Sequence, residues 1–251
     1  MPESRTTSNR PAWKCWGREV AQVFCGGWVR LQSRLWIAGV TCGIGMALVW
    51  LAGGQDATLQ QVAQVDNAPN VRATARFLSD YSDLNFAVPL SVLLWITGAA
   101  LGKRRLRKLA LACLMATLMA GLMVTLIKSI TGRARPKHVQ ETNLRADRFH
   151  WFESNDDYWS FPSGHTITSS ATAASLAGAV PVLTVPGVIY AASVGWSRMQ
   201  LDKHYPLDVA TGVVLGTLCG LCFASTVPGS WVKLKRKKIP SSKLQAPEKL
   251  Q

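Results

Sequence analysis

Five long stretches without a charged side chain dominate this sequence: residues 35–54, 84–102, 109–127, 166–197 and 209–231. A hydrocarbon core of about 30 Å takes about 20 apolar residues per helical crossing, so the first three runs read as single spans. The fourth is too long for one crossing and is punctuated by Pro181 and Pro186. It splits there into two short spans joined by a tight turn. Residues 207–227 make the sixth. The pattern excludes a soluble globular domain and predicts an all-α polytopic membrane protein, six transmembrane helices in a bundle. The first run lies behind a basic arm and reads as a retained signal anchor rather than a cleaved leader.

The net charge of +14 invites a nucleic-acid reading, which its distribution excludes. The arm before Leu35, the run from Lys103 to Lys108 and the tail from Lys233 hold 18 of the 28 Lys and Arg residues. Six spans put all three on one face, which the positive-inside rule makes cytoplasmic. The expected layout is a basic, partly disordered cytoplasmic arm at 1–34, a six-helix domain at 35–227 and a basic cytoplasmic tail at 228–251. The expected location is a bacterial-type inner membrane, with the lipid bilayer as partner and no nucleic acid. In the arm, Trp13, Trp16 and Trp28 alternate with basic residues, as in an interfacial helix. None of the six cysteines falls in an outer loop, so no disulfide framework is expected; Cys219 and Cys222 read as core packing.

Two outer loops remain. Residues 55–83 carry loosely spaced Val62, Val65, Val71 and Phe77, fitting one or two short surface helices, with Asp56, Asp66, Asp80 and Asp83 solvated. Residues 137–160 end in Trp151, Phe152, Tyr158 and Trp159, an interfacial belt or a lid.

Polar chemistry collects at the outer ends of the spans. Lys128 closes the third, and Arg135-Pro136 follows after a glycine turn at Gly132. Pro162-Ser163-Gly164-His165 opens a helix, where unpaired backbone N–H groups and the positive dipole end attract an anion. Ser197-Arg198 ends the fifth span. His204 and Asp208, four apart, are expected on one helix face, with Pro206 in the first turn. Three cations, two histidines, a carboxylate and a serine at one interface suit a phosphate site.

Together Lys128…Arg135-Pro136, Pro162-Ser163-Gly164-His165 and Ser197-Arg198…His204…Asp208 resemble the type 2 phosphatidic acid phosphatase family, which shares these motifs with vanadium haloperoxidases and bacterial acid phosphatases. All three motifs match without departure. The resemblance implies a membrane lipid phosphatase with its site at the outer interface, facing periplasm or exterior. His204 would be the nucleophile, forming a phosphohistidine, with Asp208 orienting it and His165 as general acid and base. Lys128, Arg135, Ser163, Gly164 and Arg198 would bind phosphate. No metal and no cofactor are implied. The substrate would be a phosphomonoester or terminal diphosphate of a membrane lipid: lipid A, undecaprenyl diphosphate, phosphatidic acid or phosphatidylglycerol phosphate. A lipid phosphotransferase using the same site, or a non-enzymatic lipid-binding or transport protein, are the alternatives.

Overall fold

The computed structural model describes residues 12–64, 68–82 and 84–234. The chain tip before Arg10, Val65, Asp66, Asp83 and the tail from residue 235 therefore lie outside the described residues. Ten α-helices follow one another among those described: α1 (Ala12–Gln32), α2 (Leu35–Ala52), α3 (Gln55–Ala63), α4 (Pro69–Asp80), α5 (Leu84–Ala100), α6 (Arg104–Thr131), α7 (Pro136–Thr142), α8 (Gly164–Ala179), α9 (Thr184–Gln200) and α10 (Pro206–Ala224). No strand occurs among them. The α2, α6 and α10 helices are long and apolar enough to cross a membrane. The α4 and α5 helices, bent by 51°, supply a fourth crossing if taken as one span. The long uncharged run breaks where its prolines fall, at a 3₁₀ turn over Pro181–Leu183. The 16 and 17 residues of α8 and α9 give each a length of only about 25 Å.

The contact that sets the architecture is α8 against α10. Gly212, Gly216 and Gly220 recur every fourth residue, so they share one face of α10. A Cβ on them would fall 2.9 Å from the Ser163 carbonyl oxygen, 2.2 Å from that of Ile167 and 2.5 Å from that of Ala171, respectively. Two backbones thus touch along three turns, as small residues allow between membrane helices. This crossing fixes the start of α8 beside the start of α10, where the Ser163 N–H donates to the Asp208 carbonyl at 3.0 Å. Gly216→Val is therefore expected to leave little monodisperse protein on size-exclusion chromatography. Gly39→Val, where the added side chain meets open space, should behave as the parent.

Two features of the end of the bundle that holds the basic run depart from the sequence reading. The basic run is not a loop, because α6 begins at Arg104 and its first turns carry Arg105, Arg107 and Lys108. Cations are unfavourable at a helix N-terminus. Here α1 compensates, with Glu19 accepting from Arg107 at 2.9 and 3.0 Å and Gln22 accepting from Lys108 at 2.9 Å. The arm helix is also packed into the bundle: Val23 and Leu31 are buried, and Gly27 admits the Phe223 ring. From residue 12 onward, the arm is continuous with the domain it precedes.

Candidate active site

Four helix ends and two connections meet at the opposite end of the bundle. Gly132, at φ 56°, turns the chain out of α6; a Cβ there would sit 1.8 Å from the His150 carbonyl oxygen. The residue that follows, Arg133, is 1% exposed and stands at the centre of a polar network. Its Nε donates to the Ala146 carbonyl at 3.0 Å, Nη1 to Asp208 Oδ1 at 2.5 Å and Nη2 to Asp56 Oδ2 at 2.9 Å. The guanidinium lies 4.1 Å from the centre of the Tyr205 ring. Removing one partner from a buried ion pair costs about 3–5 kcal/mol, since the other charge is left uncompensated.

The sequence reading did not single out Arg133, and it left Asp56 solvated. The structure corrects that: Asp56 is 1% exposed, because α3 folds back over the loop before α10. Burial raises the Asp56 pKa, while the Arg133 charge opposes the shift. Asp80, by contrast, is exposed.

His204 is almost wholly buried, but it is not helical. Pro206 forces Tyr205 into an extended conformation (φ −88°, ψ 162°), so α10 starts after the histidine rather than at it. Its Nδ1 lies 2.7 Å from the Ser160 carbonyl oxygen and 3.9 Å from Asp208 Oδ2. Only the first is a hydrogen bond, which puts the proton on Nδ1 and leaves the Nε2 lone pair open. Asp208 reaches the ring at second hand: its Oδ2 accepts the Ser160 hydroxyl at 2.6 Å and the Tyr205 N–H at 3.0 Å. Ser160 thus joins carboxylate to imidazole through its side chain and its carbonyl. No sequence signal beyond its place before the Pro162-Ser163-Gly164-His165 run pointed to it.

The phosphate-binding candidates converge. Lys128 and Arg198 lie close enough for their charges to act on His204, and together with burial they lower its pKa well below the ordinary histidine value; burial is the larger cause. The charges of Arg135 and Arg198 act on Lys128 in turn. A Cβ added to Gly164 would lie 3.8 Å from Lys128 Nζ, so the α8 N-terminus and this cation face one space. Arg135 donates to the exposed Asp156 at 2.7 Å, while its buried Nε has no hydrogen-bond partner among the described residues. Arg198 Nη1 donates to the Ser79 hydroxyl, reaching across to α4. The Ser163 hydroxyl shares a 2.9 Å hydrogen bond with Thr166 rather than capping the α8 backbone.

A groove of about 440 Å³ opens beside these groups. One end holds Lys128, Gly164, His165 and Trp159; the other runs along α6 past Thr125, Leu122 and Gly121 to Leu118. From Lys128 to Leu118 is ten residues, or about 15 Å of helix. Of the four aromatic residues expected to form a belt or a lid, only Trp159 lines this groove. Trp151 lines a separate recess with Trp50, Arg145, Asp147, Arg148 and Phe149.

The model of the PAP2 superfamily matches residues 109–231, which hold every motif residue of this site. A lipid A 1-phosphatase of Rhizobium etli is 30% identical, over 66% of this chain and 80% of its own length. The chain belongs to the PAP2 superfamily. A decaprenylphosphoryl-5-phosphoribose phosphatase of Mycobacterium tuberculosis is 33% identical, over 70% of this chain and 91% of the relative. Among solved structures, a transmembrane PAP2-type phosphatidylglycerolphosphate phosphatase of Bacillus subtilis superposes with a TM-score of 0.54 at 19% identity, covering 74% of this chain and 92% of that one. At that identity the likeness is one of fold: the PAP2 helical arrangement.

Proposed function

We propose that this PAP2 protein hydrolyses a phosphomonoester or terminal diphosphate of a membrane lipid through a phosphohistidine on His204. Its relatives are membrane lipid phosphatases, and the chain is an enzyme of that kind. The observation that carries the finer reading is the groove, which joins a cationic, histidine-bearing end to an apolar wall along α6. A lipid headgroup phosphate fits the first and an acyl or prenyl chain the second. His204 Nε2 attacks phosphorus, and His165 protonates the leaving alkoxide, then activates the water that frees phosphate. Lys128, Arg135 and Arg198, with Ser163 and the Gly164 N–H, bind the equatorial oxygens, where charge builds in the transition state. Arginine's planar fork suits two oxygens at once. The relatives' named substrates, lipid A and a decaprenyl-linked phosphate, favour a large lipid phosphate of the outer leaflet.

A Cβ at Gly121 meets open space, so a bulky residue there would fill the groove without disturbing a helix contact. Gly121→Phe is expected to lower phosphate release from long-chain lipid phosphates at least about tenfold, since the side chain takes the place of a lipid tail. Slow hydrolysis of glycerol phosphate should be unchanged. Equal loss on both would remove the groove from substrate binding.

We also propose six spans, with α8 and α9 crossing as short helices, α4 and α5 as a bent one, and both termini cytoplasmic. The charge asymmetry supports this, and α6 runs from the basic residues at Arg104 to the site at Lys128. In a cysteine-free background, Glu141→Cys should react with an impermeant thiol reagent in cells with a permeabilised outer envelope, and Lys103→Cys should not. The converse labelling would invert the topology.

A further inference from the structure

The short outer helix α3 places Asp56 and Gln60 four residues apart on one face, and Gln64, the extended residue that ends the helix, continues the stripe. That face lies on the loop carrying His204. Gln60 Nε2 donates to Asp202 Oδ1 at 3.0 Å and to the Met199 carbonyl at 3.2 Å, and Gln64 Nε2 to Asp202 Oδ1 at 2.6 Å. Asp56 uses both oxygens: Oδ1 accepts the Leu207 N–H at 3.2 Å in the first turn of α10, and Oδ2 accepts Arg133. The loop is therefore held at Asp202 before the histidine and at Leu207 after it.

We propose that Asp56 is a positioning residue for the nucleophile, acting through Arg133 on Asp208 and through Leu207 on the start of α10. Arg133 lies between two buried carboxylates. With Asp56 ionised, the trio carries one net negative charge, and Asp208 keeps its charge toward Ser160 and His204. Without the Asp56 charge, Arg133 and Asp208 neutralise each other. The positive imidazole formed on attack then loses its counter-charge, although no atom touching the substrate has changed. The other charges acting on His204 are Lys128 from α6, Arg198 from α9 and Asp208 itself from α10; His165, at the start of α8, lines the same groove as Lys128.

This rests on His204 being the nucleophile, so His204→Ala is run alongside. Asp56→Asn keeps the shape and the acceptor for Leu207 while removing the charge. It is expected to lower kcat about tenfold or more with KM within about threefold, and to move the acid limb of kcat/KM to lower pH, because His204 loses net negative charge nearby. Gln64→Ala, on the same stripe but uncharged, should leave the acid limb in place. An Asp56→Asn enzyme with parental kcat and acid limb, per mole of folded protein, overturns the proposal even if its Tm falls. Should Asp56→Asn not be recovered folded, Asp56→Glu decides: it keeps the charge and displaces it by one methylene, so kcat should fall with the acid limb unmoved. Parental kcat in that variant overturns the proposal equally. Turnover surviving in His204→Ala would instead strike at the proposed function itself.

Discussion

His204→Ala is expected to reduce phosphate release by about 10⁴-fold or more, because it removes the atom that bonds to phosphorus. The ring is held by the Ser160 carbonyl with its proton on Nδ1, so Nε2 is the lone pair available. Burial, with the neighbouring cations, favours the neutral ring. The sign follows directly. A nucleophile with a lowered pKa stays unprotonated as the medium is acidified past the range where free histidine titrates. The acid limb of kcat/KM should accordingly lie below pH of about 6.5. Enzyme incubated briefly with labelled substrate and then denatured in alkaline detergent should retain base-stable, acid-labile phosphate in the parent and none in His204→Ala. Persistent labelling in the variant would place the nucleophile elsewhere.

The parts of this architecture that were legible in the sequence are those written in local chemistry. Charge-free runs gave the helices, Pro181 marked the break between α8 and α9, and three spaced motifs marked the helix ends that meet at the candidate site. The motif residues lie at helix ends because the apolar runs end there, so one-dimensional spacing already implied a common face. Asp56 was not legible. Its neighbours Gln55 and Ala57 resemble any loop, and what buries it is the folding of α3 onto a segment some 150 residues later in the chain. Arg133 lies between Gly132 and the motif residue Arg135, but nothing local distinguishes a buried arginine from one that the motif assigns to phosphate. The difference lies in distant partners: Asp56 and Asp208 close on Arg133, while Arg135 meets the exposed Asp156. The His204–Asp208 spacing suggested a helical pair, yet Pro206 moved the histidine out of the helix and gave its Nδ1 to a carbonyl. The glycine spacing in α10 was visible as sequence, but its partner was not, since only the fold shows that α8 supplies the opposing carbonyls.

His165→Ala is the complementary test, because it separates the two halves of the reaction. His165 lines the groove beside Lys128 and Gly164, on the side from which a lipid headgroup would reach the cations. If it protonates the leaving oxygen, its loss slows the first step in proportion to the basicity of that oxygen. A lipid alkoxide needs the proton and turnover should fall about 10²–10⁴-fold; a nitrophenolate leaves without it, and that first step should be nearly spared. The second step has no such escape, since water still needs a base. With nitrophenyl phosphate the variant should therefore give a burst of one nitrophenolate per active site, followed by slow turnover and accumulation of phosphoenzyme. The same variant on a lipid phosphate should show neither burst nor accumulation, because attack itself is then limiting. Equal losses on both substrates without a burst would mean that His165 binds phosphate rather than moving protons, leaving water or the lipid-side solvent to protonate the alkoxide.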